Sequence, residues 1–167
     1  INLVFVSDND ALYYKVVKGS TSIVEKSALG ITTSVGDFST GLSEPSFTER
    51  LVDDSYSLPS GKRSRYDNTY KEATVSCNKD GHTVQFIFRV YDDGVAYRYA
   101  ILGSGDISVY AENSECLPVR QEKVYSQQYT KNNQALYEEN DTEFMACELY
   151  TPLPLLVHAG SDYLLLT

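Results

Sequence analysis

Phe86-Ile87-Phe88-Arg89-Val90-Tyr91-Asp92-Asp93-Gly94-Val95-Ala96-Tyr97-Arg98-Tyr99 is the stretch that decides the fold class of this chain. Phe86, Phe88 and Val90 share one parity before Asp-Asp-Gly, and Val95, Tyr97 and Tyr99 share one after it. Successive strand residues point to opposite faces, so this alternation marks two half-buried strands. The Asp-Gly pair between them is a hairpin signal, with Gly94 expected at positive φ, where a residue without Cβ meets no steric penalty.

Outward from this hairpin the same grammar repeats. Segments 2–7 and 11–18 flank Asp8-Asn9-Asp10, and Lys18-Gly19-Ser20 turns the chain into 21–25, followed by 28–33. Residues 34–45 are rich in Gly, Ser and Thr and read as a loop, with weaker strands at 47–53 and 56–58. A long alternating segment, 65–77, meets 82–91 through Asn78-Lys79-Asp80-Gly81. Further strands are expected at 107–111, 117–125, 144–150, 153–158 and 163–167, with a polar stretch at 126–142. No window shows a convincing 3.6-residue period. The expected architecture is all-β: two large antiparallel sheets packed face to face in one domain, 1–167.

Composition agrees. A 167-residue chain can bury one substantial core. Its 14 tyrosines and 6 phenylalanines, with no tryptophan, suit strands and half-wet surfaces. The net charge of -9 and the lack of a basic patch exclude a phosphate-backbone partner. No apolar run reaches the roughly 20 residues that a spanning helix needs. Cys77, Cys116 and Cys147 show no zinc-ligand spacing, which leaves one disulfide with a free thiol, or three buried thiols as the favoured reading. The chain starts at Ile1 without Met and stops inside the apolar strand Tyr163-Leu164-Leu165-Leu166-Thr167, and it is read as a piece of a longer protein.

Candidate chemistry is sparse. Asp8-x-Asp10 and Asp92-Asp93 offer calcium-type oxygens but lack the spacing of a calcium loop, so they are expected to form turns. Gly103-Ser104-Gly105 lies between strands, not before a helix, and so does not make a dinucleotide fingerprint. Asn140-Asp141-Thr142 matches a glycosylation acceptor. His82 follows a turn and is expected to be solvated, and His158 to be structural; neither has a nucleophile partner in sequence. Glu72, Glu138 and Glu139 are the acids worth weighing for glycoside chemistry, against a bland reading of surface solvation. No residue is assigned a catalytic, cofactor-binding or metal-ligating role.

Residues 88–99 resemble the signature hairpin of the N-terminal domain of glycoside hydrolase family 97. Leu12-Tyr13-Tyr14-Lys15-Val16, Lys18-Gly19 and Ser27-Ala28-Leu29-Gly30-Ile31 resemble its opening strands, and Asn68-Thr69-Tyr70-Lys71-Glu72 its Asn-x-Tyr-x-Glu segment. Thr151-Pro152-Leu153-Pro154-Leu155 and Asp162-Tyr163-Leu164 are similar to its closing strands, whereas 117–144 matches poorly. The resemblance implies a β-super-sandwich followed, after 167, by a catalytic (β/α)8 barrel carrying the carboxylates of an exo-α-glucosidase or α-galactosidase. It also implies calcium in the full-length enzyme, held mainly by barrel glutamates, with the one ligand from this domain falling just beyond Thr167. The implied role of 1–167 is non-catalytic support: packing against the barrel and closing one wall of a pocket for an α-linked oligosaccharide, in the periplasm or outside the cell. A dimer through the exposed interface is a further expectation. The alternatives are a free-standing carbohydrate-binding sandwich that uses exposed Tyr as stacking platforms, and an adhesin-like structural module.

Overall fold

The computed structural model describes residues 1–103, 105–118, 121–132, 134–140, 152–159 and 161–167. The expected strand at 144–150 lies outside them, as do Ser104, Cys147 and the Asp141-Thr142 part of the glycosylation pattern. The described residues contain strands and no helix. In chain order the first strands are β1 (Asn2–Asp8), β2 (Ala11–Lys18), β3 (Thr21–Ala28), β4 (Ile31–Thr33), β5 (Gly36–Asp37) and β6 (Ser43–Asp53). Next come β7 (Tyr56–Ser57), β8 (Arg65–Tyr66), β9 (Thr69–Lys79), β10 (His82–Val90), β11 (Val95–Leu102) and β12 (Val109–Glu112). The last are β13 (Gln121–Ser126), β14 (Glu138–Asn140), β15 (Leu155–Ala159) and β16 (Asp162–Leu166).

The fold is an all-β sandwich. β1-β2-β3 form one three-stranded sheet and β12-β4-β5 another. Backbone bonds from Asn113 N–H to the Gly30 carbonyl (2.8 Å), Glu115 N–H to Ala28 (2.9 Å) and Glu25 N–H to Leu117 (2.8 Å) stitch these two into one layer. The facing layer is the sheet β11-β10-β9-β6. A second four-stranded sheet, β14-β13-β15-β16, closes the chain, and β7-β8 form a small ribbon. Among the described strands every pairing is antiparallel.

The hairpin that opened the sequence reading is the centre of the core. Its register pairs Phe86 with Tyr99, Phe88 with Tyr97 and Val90 with Val95, so the two apolar parities share one face. Phe86 and Phe88 are fully buried, against Leu12, Tyr14 and Val16 of β2 and Val24 of β3. Phe88 meets Phe5 edge-on at 5.1 Å, Tyr14 at 5.6 Å and Tyr97 at 5.3 Å. Edge-to-face rings align the positive rim of one with the negative face of the other, adding to the area term.

The turn differs from expectation. Neither Asp93 nor Gly94 has positive φ. Tyr91 N–H bonds to the Gly94 carbonyl at 2.8 Å, which makes Asp92-Asp93 the central pair and leaves Gly94 just after it. Gly is favoured there in ordinary turns without needing a left-handed conformation. The left-handed turns lie elsewhere: Asn9 and Asp10 (φ 50 and 58) join β1 to β2, and Asp80 and Gly81 (φ 51 and 79) join β9 to β10. Those are two-residue primed turns, whose twist matches that of the strands they connect.

Other differences are local. The expected strand 65–77 is divided into β8 and β9 at Asp67-Asn68, where the Asn68 carbonyl accepts from Asp54 N–H (2.9 Å) in the register that pairs Asp53 with Thr69. The expected loop 34–45 contains β5 and the start of β6, whose pairing to β9 is bulged between Ser43 and Ser46.

Candidate functional site

The hairpin tip borders a cleft of about 690 Å³ between the layers. Its walls are Tyr14, Val16, Val95, Tyr97 and Leu164, and Asp92 and Asp93 lie at the hairpin end. At its rim Lys18 Nζ lies 2.5 Å from Asp162 Oδ1, tying β2 to β16. The cleft is therefore mostly apolar with charge at its mouth, which suits packing or an amphipathic ligand. Its Cys116 thiol is pushed up by burial, partly offset by a hydrogen bond with Tyr14, so it is a poor nucleophile.

Tyrosine hydroxyls order this region. Tyr14 donates to the Glu115 carbonyl at 2.9 Å, and burial followed by the neighbouring Cys116 pushes its pKa up. Tyr97 donates to Glu112 Oε1 at 3.1 Å and is pushed up to about 12, chiefly by burial. The Tyr99 hydroxyl accepts from Gly30 N–H at 3.0 Å and makes a short contact with Ser114 Oγ. These are protonated structural phenols: Tyr14 and Tyr99 satisfy backbone groups and Tyr97 a carboxylate.

Glu72 is not a solvated surface acid. It is buried on the face of β9 opposite the core, between cross-strand partners Arg50 on β6 and Arg89 on β10. Arg50 Nε and Nη2 both donate to Oε1, at 2.9 and 2.6 Å, and Arg89 Nε lies 3.8 Å from Oε2. Arg89 also lies over the Tyr70 ring, 4.5 Å from its centroid. Each carboxylate oxygen thus faces a guanidinium, a structural arrangement and not one for proton transfer. Arg50 and Arg89 escaped the sequence reading, yet counting back from the Asp80-Gly81 turn already puts Glu72 opposite Arg89.

Glu138 and Glu139 lie on β14, on a different sheet from Glu72 and with none of its partners. Glu139 accepts from the Tyr125 hydroxyl at 3.0 Å and pairs with Lys123 at 3.2 Å. The structure therefore does not bring together the acids weighed for glycoside chemistry. Asp10 lies in the turn and Asp8 just before it, as expected, with Asp8 bound to Lys26 at 2.5 Å. His82 is half-buried, where a solvated side chain was expected, because it stands at the start of a central strand. His158 stacks on Tyr163 with centroids 4.5 Å apart. Cys77 and Cys116 are free thiols. Among the described residues no group of three or more His, Cys, Asp or Glu side chains is arranged to hold a metal ion. Nor, among them, is any helix long and apolar enough to cross a membrane, a statement that leaves β-barrels untouched.

The family profile described as Glycosyl-hydrolase 97 N-terminal matches residues 1–167. The chain belongs to the glycosyl-hydrolase 97 N-terminal family. A relative in Streptomyces bingchenggensis, described as a probable retaining alpha-galactosidase, is 33% identical over 131 residues, covering 77% of this chain and 20% of its own length. The structure of a beta-arabinopyranosidase superposes with a TM-score of 0.84 at 22% identity, over 98% of this chain and 29% of that one. A family 97 enzyme from Pseudoalteromonas sp. strain K8, in complex with acarbose, gives 0.77 at 16% identity, over 95% of this chain and 25% of that one. At such identities the two structures speak for the fold alone. This glycosyl-hydrolase 97 N-terminal domain spans about a fifth of the length of its curated relative.

Proposed function

We propose that residues 1–167 are the non-catalytic N-terminal domain of an exo-acting α-glycosidase, packing against a catalytic barrel and forming part of the wall of its pocket. The observation that carries this reading is the pairing of a family match over all of 1–167 with relatives about three to four times as long. The internal chemistry is consistent with it: Glu72 is locked between two arginines, and the cleft tyrosines are held protonated. The substrate would be an α-linked oligosaccharide, met in the periplasm or outside the cell. Calcium in the whole enzyme would be held mainly by glutamates of that barrel, with a ligand from this domain just beyond Thr167.

The test is hydrolysis of nitrophenyl α-glucoside and α-galactoside by the 167-residue chain and by the natural full-length polypeptide. Turnover by the longer polypeptide alone is expected, and turnover by 1–167 would overturn the reading. Exposed tyrosines such as Tyr56 and Tyr110 keep the carbohydrate-binding module as the second reading. A saturable response of 1–167 to maltose or melibiose would favour it.

A further inference from the structure

The sheet β14-β13-β15-β16 carries apolar side chains on both faces. Val124, Leu155 and Val157 are buried on one face, with Leu164 and Leu166 packed against them. Strand alternation turns the intervening residues outward. On β13, β15 and β16 these are Lys123, Tyr125, Leu156, His158, Tyr163 and Leu165. Tyr163 is 61% exposed and Leu165 58% exposed. The register sets Tyr125 beside Leu156 and Leu156 beside Leu165, so the three form one row. Tyr163 stacks on His158 in the next row, while Glu139, bound by Tyr125 and Lys123, forms a polar margin. Antiparallel strands that meet water on one face alternate apolar with polar residues; a continuous run such as Leu164-Leu165-Leu166 belongs to a strand covered on both.

We infer that this outward face is the surface on which the rest of the same polypeptide docks, with Leu165 and Tyr163 at its centre. The inference rests on the proposed function and names the contact surface within it. The occupant follows from length: relatives that share this domain carry about 71–75% of their chain outside it. That is ample to cover a patch which an isolated domain leaves wet. An apolar centre of Leu and Tyr with an ion-paired margin is also the anatomy of a protein interface, whose core is apolar and whose rim is polar.

The experiment is tyrosine nitration of the natural full-length polypeptide, mapped by mass spectrometry. Tyr163, Tyr110 and Tyr56 are all exposed in the structure of this domain, so Tyr110 and Tyr56 serve as internal standards. Tyr163 is expected to react about tenfold more slowly than either at every protein concentration, as a residue in a desolvated interface core should. The variant Leu165→Lys should restore its reactivity. Equal rates for the three tyrosines in the wild-type protein would overturn the inference. So would slowing that appears only as protein concentration rises, which marks a second copy, or only with added maltose or melibiose, which marks a sugar surface. α-Glycosidase activity of the same preparation reports separately on the proposed function. Activity with Tyr163 unprotected sinks the docking face alone, and protection without activity sinks the enzymatic reading alone.

Discussion

The two four-stranded sheets of this domain are built to different rules. In β11-β10-β9-β6 one face carries Phe86, Phe88, Val75 and Cys77 into the core, and the other carries Glu72, Arg89 and Arg98. In β14-β13-β15-β16 the core face carries Val124, Leu155 and Val157, and the other carries Tyr125, Leu156 and Leu165 beside Lys123 and His158. The first sheet is complete within these residues: its outer carboxylate is neutralised in place by Arg50 and Arg89. The second sheet leaves Tyr163 and Leu165 exposed on its outward face. The contrast separates the part of the domain that makes the fold from the part that makes the connection.

Substitutions in the 167-residue chain sharpen that contrast. Phe88→Ala removes a fully buried ring in contact with three others, and is expected to cost about 3–5 kcal/mol in urea unfolding. A cost no larger than that of Leu165→Ala would erase the distinction between the sheets. Glu72→Ala leaves the two arginines facing each other but free to re-solvate, so about 1–2 kcal/mol is expected by the same measurement. Gly81→Ala forces an alanine to φ +79 with no other atom in the way, a cost of about 1 kcal/mol. Gly94→Ala, at a position without positive φ and with nothing within 4 Å of a new Cβ, should be close to neutral. Equal costs at the two glycines would mean that the hairpin tip is left-handed after all.

A pH titration probes the cleft between the layers. The Tyr97 pKa is raised in the folded state to about 12 from an ordinary 10.0. The folded form therefore holds the proton more tightly than the unfolded one. Its contribution to stability is complete below about pH 10 and is lost as pH rises toward 12. Tyr97→Phe should flatten the fall in urea midpoint between those pH values; an unchanged fall would show that Tyr97 does not govern it.

Much of the fold was legible because strands announce themselves by parity. Residues 86–99 gave both strands, their shared face and the core members Phe86 and Phe88 from alternation alone, whereas Tyr97 stands 37% exposed. The turn geometry was less legible: Asp-Gly invites a left-handed pair, but the Tyr91–Gly94 bond moves the tip one residue toward the N-terminus. Glu72 was singled out for the right position and the wrong environment. Its burial depends on two arginines far off in sequence, and only register brings Arg50 and Arg89 to its sides. Tyr163-Leu164-Leu165-Leu166 read correctly as a strand, but the exposed face that Tyr163 and Leu165 share with Leu156 is a tertiary property, visible only once β15 and β16 are paired.

Leu165→Lys, measured by thermal unfolding in both the 167-residue chain and the natural full-length polypeptide, tests the unequal sheets most directly. On an exposed face the substitution should move Tm by no more than about 1–2 °C in the short chain. In the longer polypeptide it places a charge in a desolvated contact, and the unfolding transition of this domain should fall by several degrees more. The same small shift in both would contradict a covered face.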